Sequence, residues 1–175
     1  MKIESPTFTA DDVRAFLREQ REHERDQLVR RLEAVGERLR DLAPRLLQAS
    51  DEAQGDGWTA REVLAHLALV SKVYGVVGYR VAAGKVTEVD LLSYVQSRDV
   101  FGEAAAREPA QQHLDSIEAD HARTLAFLRT ADVEDLERGA ESGIEDLRLT
   151  ALDVIRLALV NHCEMHLTQL ENALA

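Results

Sequence analysis

The stretch Leu159-Val160-Asn161-His162-Cys163-Glu164-Met165-His166-Leu167 sets two histidines one helical turn apart inside an apolar, periodic segment. Side chains at i and i+4 leave the same side of a helix. Counted backward at spacings of three and four, the apolar seam runs through Leu159, Ile155 and Leu152, so its forward continuation falls on 162, 166 and 169 or 170. Both histidines are therefore expected to face the interior of a helical protein. Thr150 stands where an N-cap belongs, with Asp153 three residues on, and this helix is expected to run from there almost to the C-terminus.

Working outward, the rest of the chain reads as three more long helices. Thr9-Ala10-Asp11-Asp12 is a helix start with acids in its first turn, followed by Val13, Phe16 and Leu17, and then by a polar run from Arg18 to Gln27. Leu28, Leu32, Val35, Leu39, Leu42 and Leu46 then recur at helical spacing. A kink near Gly36 is expected in this helix, and its end is expected around Pro44 to Ser50. Ser50 to Trp58 is a loop by composition. Thr59 and Glu62 form a capping box for a second helix with apolar positions 63, 67, 70, 74, 77 and 81, and Gly84 stops it. Residues 85 to 109 read as a long connection with a short helix around Asp90 to Gln96. A third helix from Pro109 to Arg129 carries Leu114, Ile117, Leu125 and Leu128, and an acidic connection over 131 to 149 follows. No run of β-branched residues alternates at period two, so strands are not expected. The expectation is an all-α chain, a single four-helix bundle domain over residues 1–175 with long second-to-third and third-to-fourth connections.

Composition narrows the function classes. A formal net charge of -11, with lysine only at 2, 72 and 85, repels phosphate backbones and argues against nucleic-acid binding. No apolar stretch approaches the roughly 20 residues that cross a bilayer, so no membrane partner is expected. Cys163 is the one cysteine, so no intramolecular disulfide can form, and Met1 to Pro6 shows no basic segment leading into an apolar run. A cytoplasmic location follows as an expectation.

The chemistry lies with the histidines. His66 is three residues after Val63 and four before Val70, which turns it inward. At about 1.5 Å per residue, His66 lies roughly 10 Å from its helix start and His166 roughly 12 Å from its helix end, so antiparallel packing brings them level. One inward histidine is ordinarily a satisfied core residue. Three rings on one level without a shared partner would leave several nitrogens unsatisfied, so His66, His162 and His166 are expected to hold a divalent metal ion, with Zn, Ni and Fe all compatible with imidazole ligation. His121 continues the third-helix seam as a core histidine or an additional group near the metal; His23 lies on a polar face with Gln20 and Glu24; His113 is expected to be exposed. In zincin proteases a glutamate directly follows the first histidine. Glu164 follows His162 by two and should point away from the metal, as a surface or subunit-contact acid, while Cys163 reads as a small, half-buried residue. Trp58, Tyr74 and Tyr79 are aromatic candidates to line a pocket, although such residues at helical spacing also pack cores.

The segments Trp58-Thr59-Ala60-Arg61-Glu62-Val63-Leu64-Ala65-His66-Leu67 and Asn161-His162-Cys163-Glu164-Met165-His166-Leu167-Thr168-Gln169-Leu170 resemble the DinB/YfiT-like superfamily over most of the chain. The resemblance implies an up-down-down-up four-helix bundle whose ligands are His66, His162 and His166. It implies relatives such as mycothiol-dependent maleylpyruvate isomerase and S-transferases that use mycothiol, bacillithiol or glutathione. Relatives often carry an acidic or polar residue one turn after the second-helix histidine; this chain has Val70 there. Two functions follow as expectations. One is a metal-dependent enzyme, dimeric and acting on a small molecule, that activates a low-molecular-weight thiol or a bound water. The other is a non-catalytic, stress-related metal-binding protein in which the metal ties two helices together.

Overall fold

The computed structural model describes residues 9–49, 57–90 and 107–174. All but Asp90 of the expected short helix around Asp90 to Gln96, nearly all of the Ser50 to Trp58 loop and the Met1 to Pro6 segment lie outside the described residues.

The first long helix, α1 (Ala10–Leu46), begins at a Thr9–Asp12 capping box and buries Leu28, Leu32, Val35, Leu39, Leu42 and Leu46, the set that its helical spacing singles out. It continues through Gly36 and takes Pro44 into its last turn. Val13, Phe16 and Leu17 precede this stripe and remain exposed. The second helix, α2 (Ala60–Ala82), opens on the Thr59–Glu62 capping box. It stops where Gly84 takes a φ of 66°, donating to the Val81 carbonyl while Lys85 donates to that of Arg80. This paired closure requires a left-handed residue, and glycine adopts it without a Cβ penalty. Helix α3 (Ala110–Thr130) follows Pro109.

The fourth long helix, α4, spans 151–173 and is not uniform. A first turn, Ala151–Val154, is capped by Thr150 and Asp153; Ile155–Asn161 is π-helical; His162–Ala173 is α-helical again. Each i→i+5 turn takes one residue more than an α turn, so the phase beyond it slips by about one position. The most deeply buried line therefore runs through Leu159, Cys163, Leu167 and Leu170 rather than through 162 and 166. Cys163 is accordingly fully buried, at 1 % exposure, where the sequence predicts a half-buried residue.

Side-chain pairs fix how the helices run. Glu24 with Arg156, Arg31 with Glu164 and Arg38 with Glu171 join α1 to α4 at sequence separations of 132, 133 and 133, the signature of two parallel helices. On the opposite side of the bundle, Ser71 meets His121 and Tyr79 meets Phe127, so α2 and α3 also run parallel. Gly78 lies against Ile155 while His66 meets His162, which makes α2 and α4 antiparallel. One core of leucine, valine, isoleucine and alanine, with Tyr74, fills the space between the four helices.

Two further sequence expectations are corrected. First, the α3–α4 connection contains strands: after a one-turn helix, Val133–Leu136, the antiparallel pair β1 (Gly139–Glu141) and β2 (Arg148–Thr150) buries Ala140 and Leu149. Three residues per strand are too few to display an alternating signal. Second, His113 is buried, at 6 % exposure. Helix α3 has two long neighbours, so besides the seam of Leu114, Ile117 and His121 it buries Asp120 and Thr124, and His113 shares that second face. Among the described residues no helix is long and apolar enough to cross a membrane.

Candidate metal centre

His66 leaves α2 in its second turn, and His162 and His166 leave the α-helical part of α4 one turn apart. Antiparallel packing of these helices brings the three imidazoles together at half-buried positions, with His162 the most enclosed at 9 % exposure. His162 Nε2 lies 2.9 Å from His66 Nε2 and 2.9 Å from His166 Nε2. An imidazole nitrogen has either one proton or one lone pair, so His162 Nε2 can make a proper hydrogen bond to only one of its two neighbours. A cation resolves this conflict, since all three nitrogens can then present lone pairs. Two nitrogens each about 2.1 Å from one ion and at right angles are about 3.0 Å apart, close to the separations found. The donor set fits a divalent metal.

The electrostatics agree with neutral ligands. Burial, then the charges of His166 and His162, press His66 down to about 4. Burial and His166 press His162 to about 4 as well. Gln169, one turn beyond His166, accepts a 2.7 Å hydrogen bond at Oε1 from His166 Nδ1. That bond holds the proton on Nδ1 and leaves the Nε2 lone pair facing the other rings. Trp58 packs over the group, its ring centroid 5.5 Å from that of His66 and 6.4 Å from that of His166. Glu164 turns the other way and receives Arg31 Nε at 2.8 Å, so it is an acid of the α1–α4 contact within the chain.

Among the described residues His66, His162 and His166 form the one group of potential ligands, with all three nitrogens within 4.8 Å of one another. His121 is not among them. It sits 4 % exposed in the core with Nε2 3.0 Å from Ser71 Oγ, whose other neighbour is Cys163 Sγ at 4.0 Å. His23 is exposed and meets Gln27 at 2.8 Å, while Glu24 is taken by Arg156. Of the aromatic candidates only Trp58 reaches the histidines; Tyr74 is core and Tyr79 packs edge-on against Phe127. Sequence reasoning missed Gln169 as the partner of His166, although its i+3 spacing was the available signal.

Comparison with known proteins agrees with this picture. A family model described as the DinB superfamily matches residues 20–170. No curated protein matches the chain. Among solved structures, the chain is similar to YfiT from Bacillus subtilis, with a TM-score of 0.63 and 17 % identity over 98 % of this chain and 93 % of that one. YfiT is described as a probable metal-dependent hydrolase with an unusual four-helix bundle topology. At that identity the likeness speaks for the fold.

Proposed function

The chain belongs to the DinB superfamily, and from that premise we propose that it is a metal-dependent enzyme in which His66, His162 and His166 hold one divalent ion and a low-molecular-weight thiol is the nucleophile. The observation that carries the reading is the convergence of three Nε2 atoms whose hydrogen-bonding needs cannot all be met by one another. When bound, a divalent ion supplies Lewis acidity that lowers the pKa of a thiol or water beside it.

The chain's own residues favour the thiol. Among the described residues no carboxylate joins the three histidines as a further ligand. Val70, buried, occupies the position one turn after His66 where relatives often carry a polar group. A thiol, with an ordinary pKa near 8.5, needs far less assistance than water. Cys163 is not that thiol: burial pushes it up to about 12. The nucleophile then comes from a small molecule such as mycothiol, bacillithiol or glutathione. Gln169 fixes the tautomer of His166, and Trp58 keeps water from one side of the rings. Hydrolysis by a bound water is the second reading, favoured by the description of YfiT.

The proposal takes residues 1–175 as one up-down-down-up bundle, a reading supported by the parallel α1–α4 and α2–α3 pairs. It takes the protein to be a cytoplasmic homodimer acting on a small molecule without nucleic-acid or membrane partners. Exposed Val13, Phe16 and Leu17 supply an apolar face for the second copy. The test is turnover by the Zn-, Ni- or Fe-loaded protein, offered each thiol with chlorodinitrobenzene and, separately, nitrophenyl esters. Metal-dependent transfer with at least one thiol is expected. Ester hydrolysis alone replaces the thiol with water, and silence in every arm leaves the non-catalytic metal-binding function.

A further inference from the structure

The three clustered histidines are not equally supported. His166 is held at Nδ1 by Gln169, and His66 lies edge-on against Trp58. The hydrogen-bond contacts of the His162 ring run only from Nε2 to the other two rings. Its place is therefore set by the backbone that carries it. That backbone follows directly on the π-helical stretch Ile155–Asn161, where the phase of α4 slips by about one residue. The regular helical period does not by itself decide where the two ligands of α4 point.

We propose that Arg31 of α1 is a positioning residue for the metal centre: its guanidinium grips α4 on both sides of His162 and fixes the phase in which His162 and His166 meet His66. The inference rests on the metal-binding reading of these histidines.

The ion pairs between α1 and α4 record the slip. Glu24, Arg31 and Arg38 follow one another at intervals of seven along α1, whereas their partners Arg156, Glu164 and Glu171 are eight and then seven apart. Seven residues make about two α turns, so an uninterrupted α-helix from Arg156 would bring Cys163, not Glu164, opposite Arg31. A guanidinium pairs with a carboxylate and not with a neutral thiol, so Arg31 selects between two phases one residue apart. Its Nε donates to Glu164 Oε1 at 2.8 Å, while Nη2 donates to Glu164 Oε2 at 2.5 Å and to Asn161 Oδ1 at 2.6 Å. Such a planar fork fixes direction as well as distance. Asn161 and Glu164 bracket His162 in the chain.

Arg38 provides an internal control. It holds Glu171 and Thr168 by the same fork, seven residues on and beyond both ligands, with similar exposure. The experiment measures zinc affinity by chelator competition, and the ligand-field spectrum of the Co(II)-loaded protein, in the parent chain, Arg31→Met, Arg31→Lys and Arg38→Met. Arg31→Met should bind zinc about tenfold or more weakly and alter the Co(II) spectrum. Arg31→Lys should not restore either, since an ammonium cannot reproduce the fork. Arg38→Met should match the parent in both, and the metal-free Arg31→Met and Arg38→Met proteins should melt together. Parent-like affinity and spectrum in Arg31→Met, full rescue by lysine, or equal weakening in Arg38→Met would overturn the proposal while leaving the metal site standing. A parent that binds no metal overturns the metal reading itself, and this inference with it.

Discussion

His121 and the metal-centre histidines share one physical condition, burial as neutral rings, and reach it differently. At the centre, His66 and His162 are held near 4 by burial together with their neighbours' charges. In the core, His121 is lowered to about 4 by burial, against a smaller opposing pull from the Asp120 carboxylate. Because the unfolded chain binds the His121 proton at about 6.5, its contribution to stability is complete above that pH. It declines as pH falls toward 4, since the unfolded state then takes up a proton that the folded state refuses. The full loss amounts to about 3 kcal/mol. His121→Gln retains a hydrogen-bonding group beside Ser71 without a titrating one. Urea unfolding at intervals between pH 7 and 4 should therefore show a shallower acid decline in this variant, by close to one proton in the slope. Equal slopes in variant and parent would mean that the folded protein takes up the His121 proton as readily as the unfolded chain does.

At the scale of elements, two glycines inside helices answer opposite demands. Gly78 of α2 lies where a Cβ would come 2.5 Å from Ile155 Cγ1 and 2.9 Å from its Cδ1, at the start of the π-helical stretch. Gly78→Ala should therefore push α4 away from α2, at a cost of about 1–3 kcal/mol despite the better helix propensity. Gly36→Ala, with open space around it, should instead stabilise α1 by about 1 kcal/mol. Denaturant midpoints of the two variants check the pair, and a destabilised Gly36→Ala or a stabilised Gly78→Ala would contradict these packing assignments. The same elements show what a sequence can convey. Helix starts were legible because Thr9, Thr59 and Thr150 each carry a capping acid three residues on, and all three boxes form. The stripes of α1 and α2 were legible because an unbroken 3.6-residue period needs no tertiary information. The π-helical stretch was not, since its residues, Ile155 to Asn161, carry no local mark of an extra residue per turn. Counting through it at α spacing brought His162 and His166 to the correct side of the helix but missed that Cys163 takes the central seam. The second buried face of α3 was hidden for another reason: His113 and Asp120 are polar, and only the presence of α2 makes their side of the helix interior.

Over the whole molecule, the contacts that tie α4 to the rest differ in strength. Beyond the apolar core they share, its polar links to α1 are ion pairs at the surface, Arg31 with Glu164, Arg38 with Glu171 and Arg156 with Glu24, with side chains about a third or more exposed. Such pairs contribute about 0–1 kcal/mol each and weaken in salt. Its link to α2 near the histidines consists of three neutral rings in mutual conflict, which by itself holds the helices weakly. A divalent ion held by His66, His162 and His166 would reverse that, because binding to the folded state alone adds free energy to folding. At 100 times the dissociation constant the gain is about 2.7 kcal/mol. For a chain of this size it raises Tm by roughly 5–11 °C. Scanning calorimetry should show that rise on adding zinc or nickel to chelator-treated protein, and its absence in His166→Ala, which removes one ligand and leaves the α1–α4 ion pairs in place. Metal content by elemental analysis should fall from one ion per chain to none in the same variant. A Tm that ignores both chelator and metal in the parent, or a variant that keeps its ion, would remove the three histidines from the metal and leave their close approach unexplained.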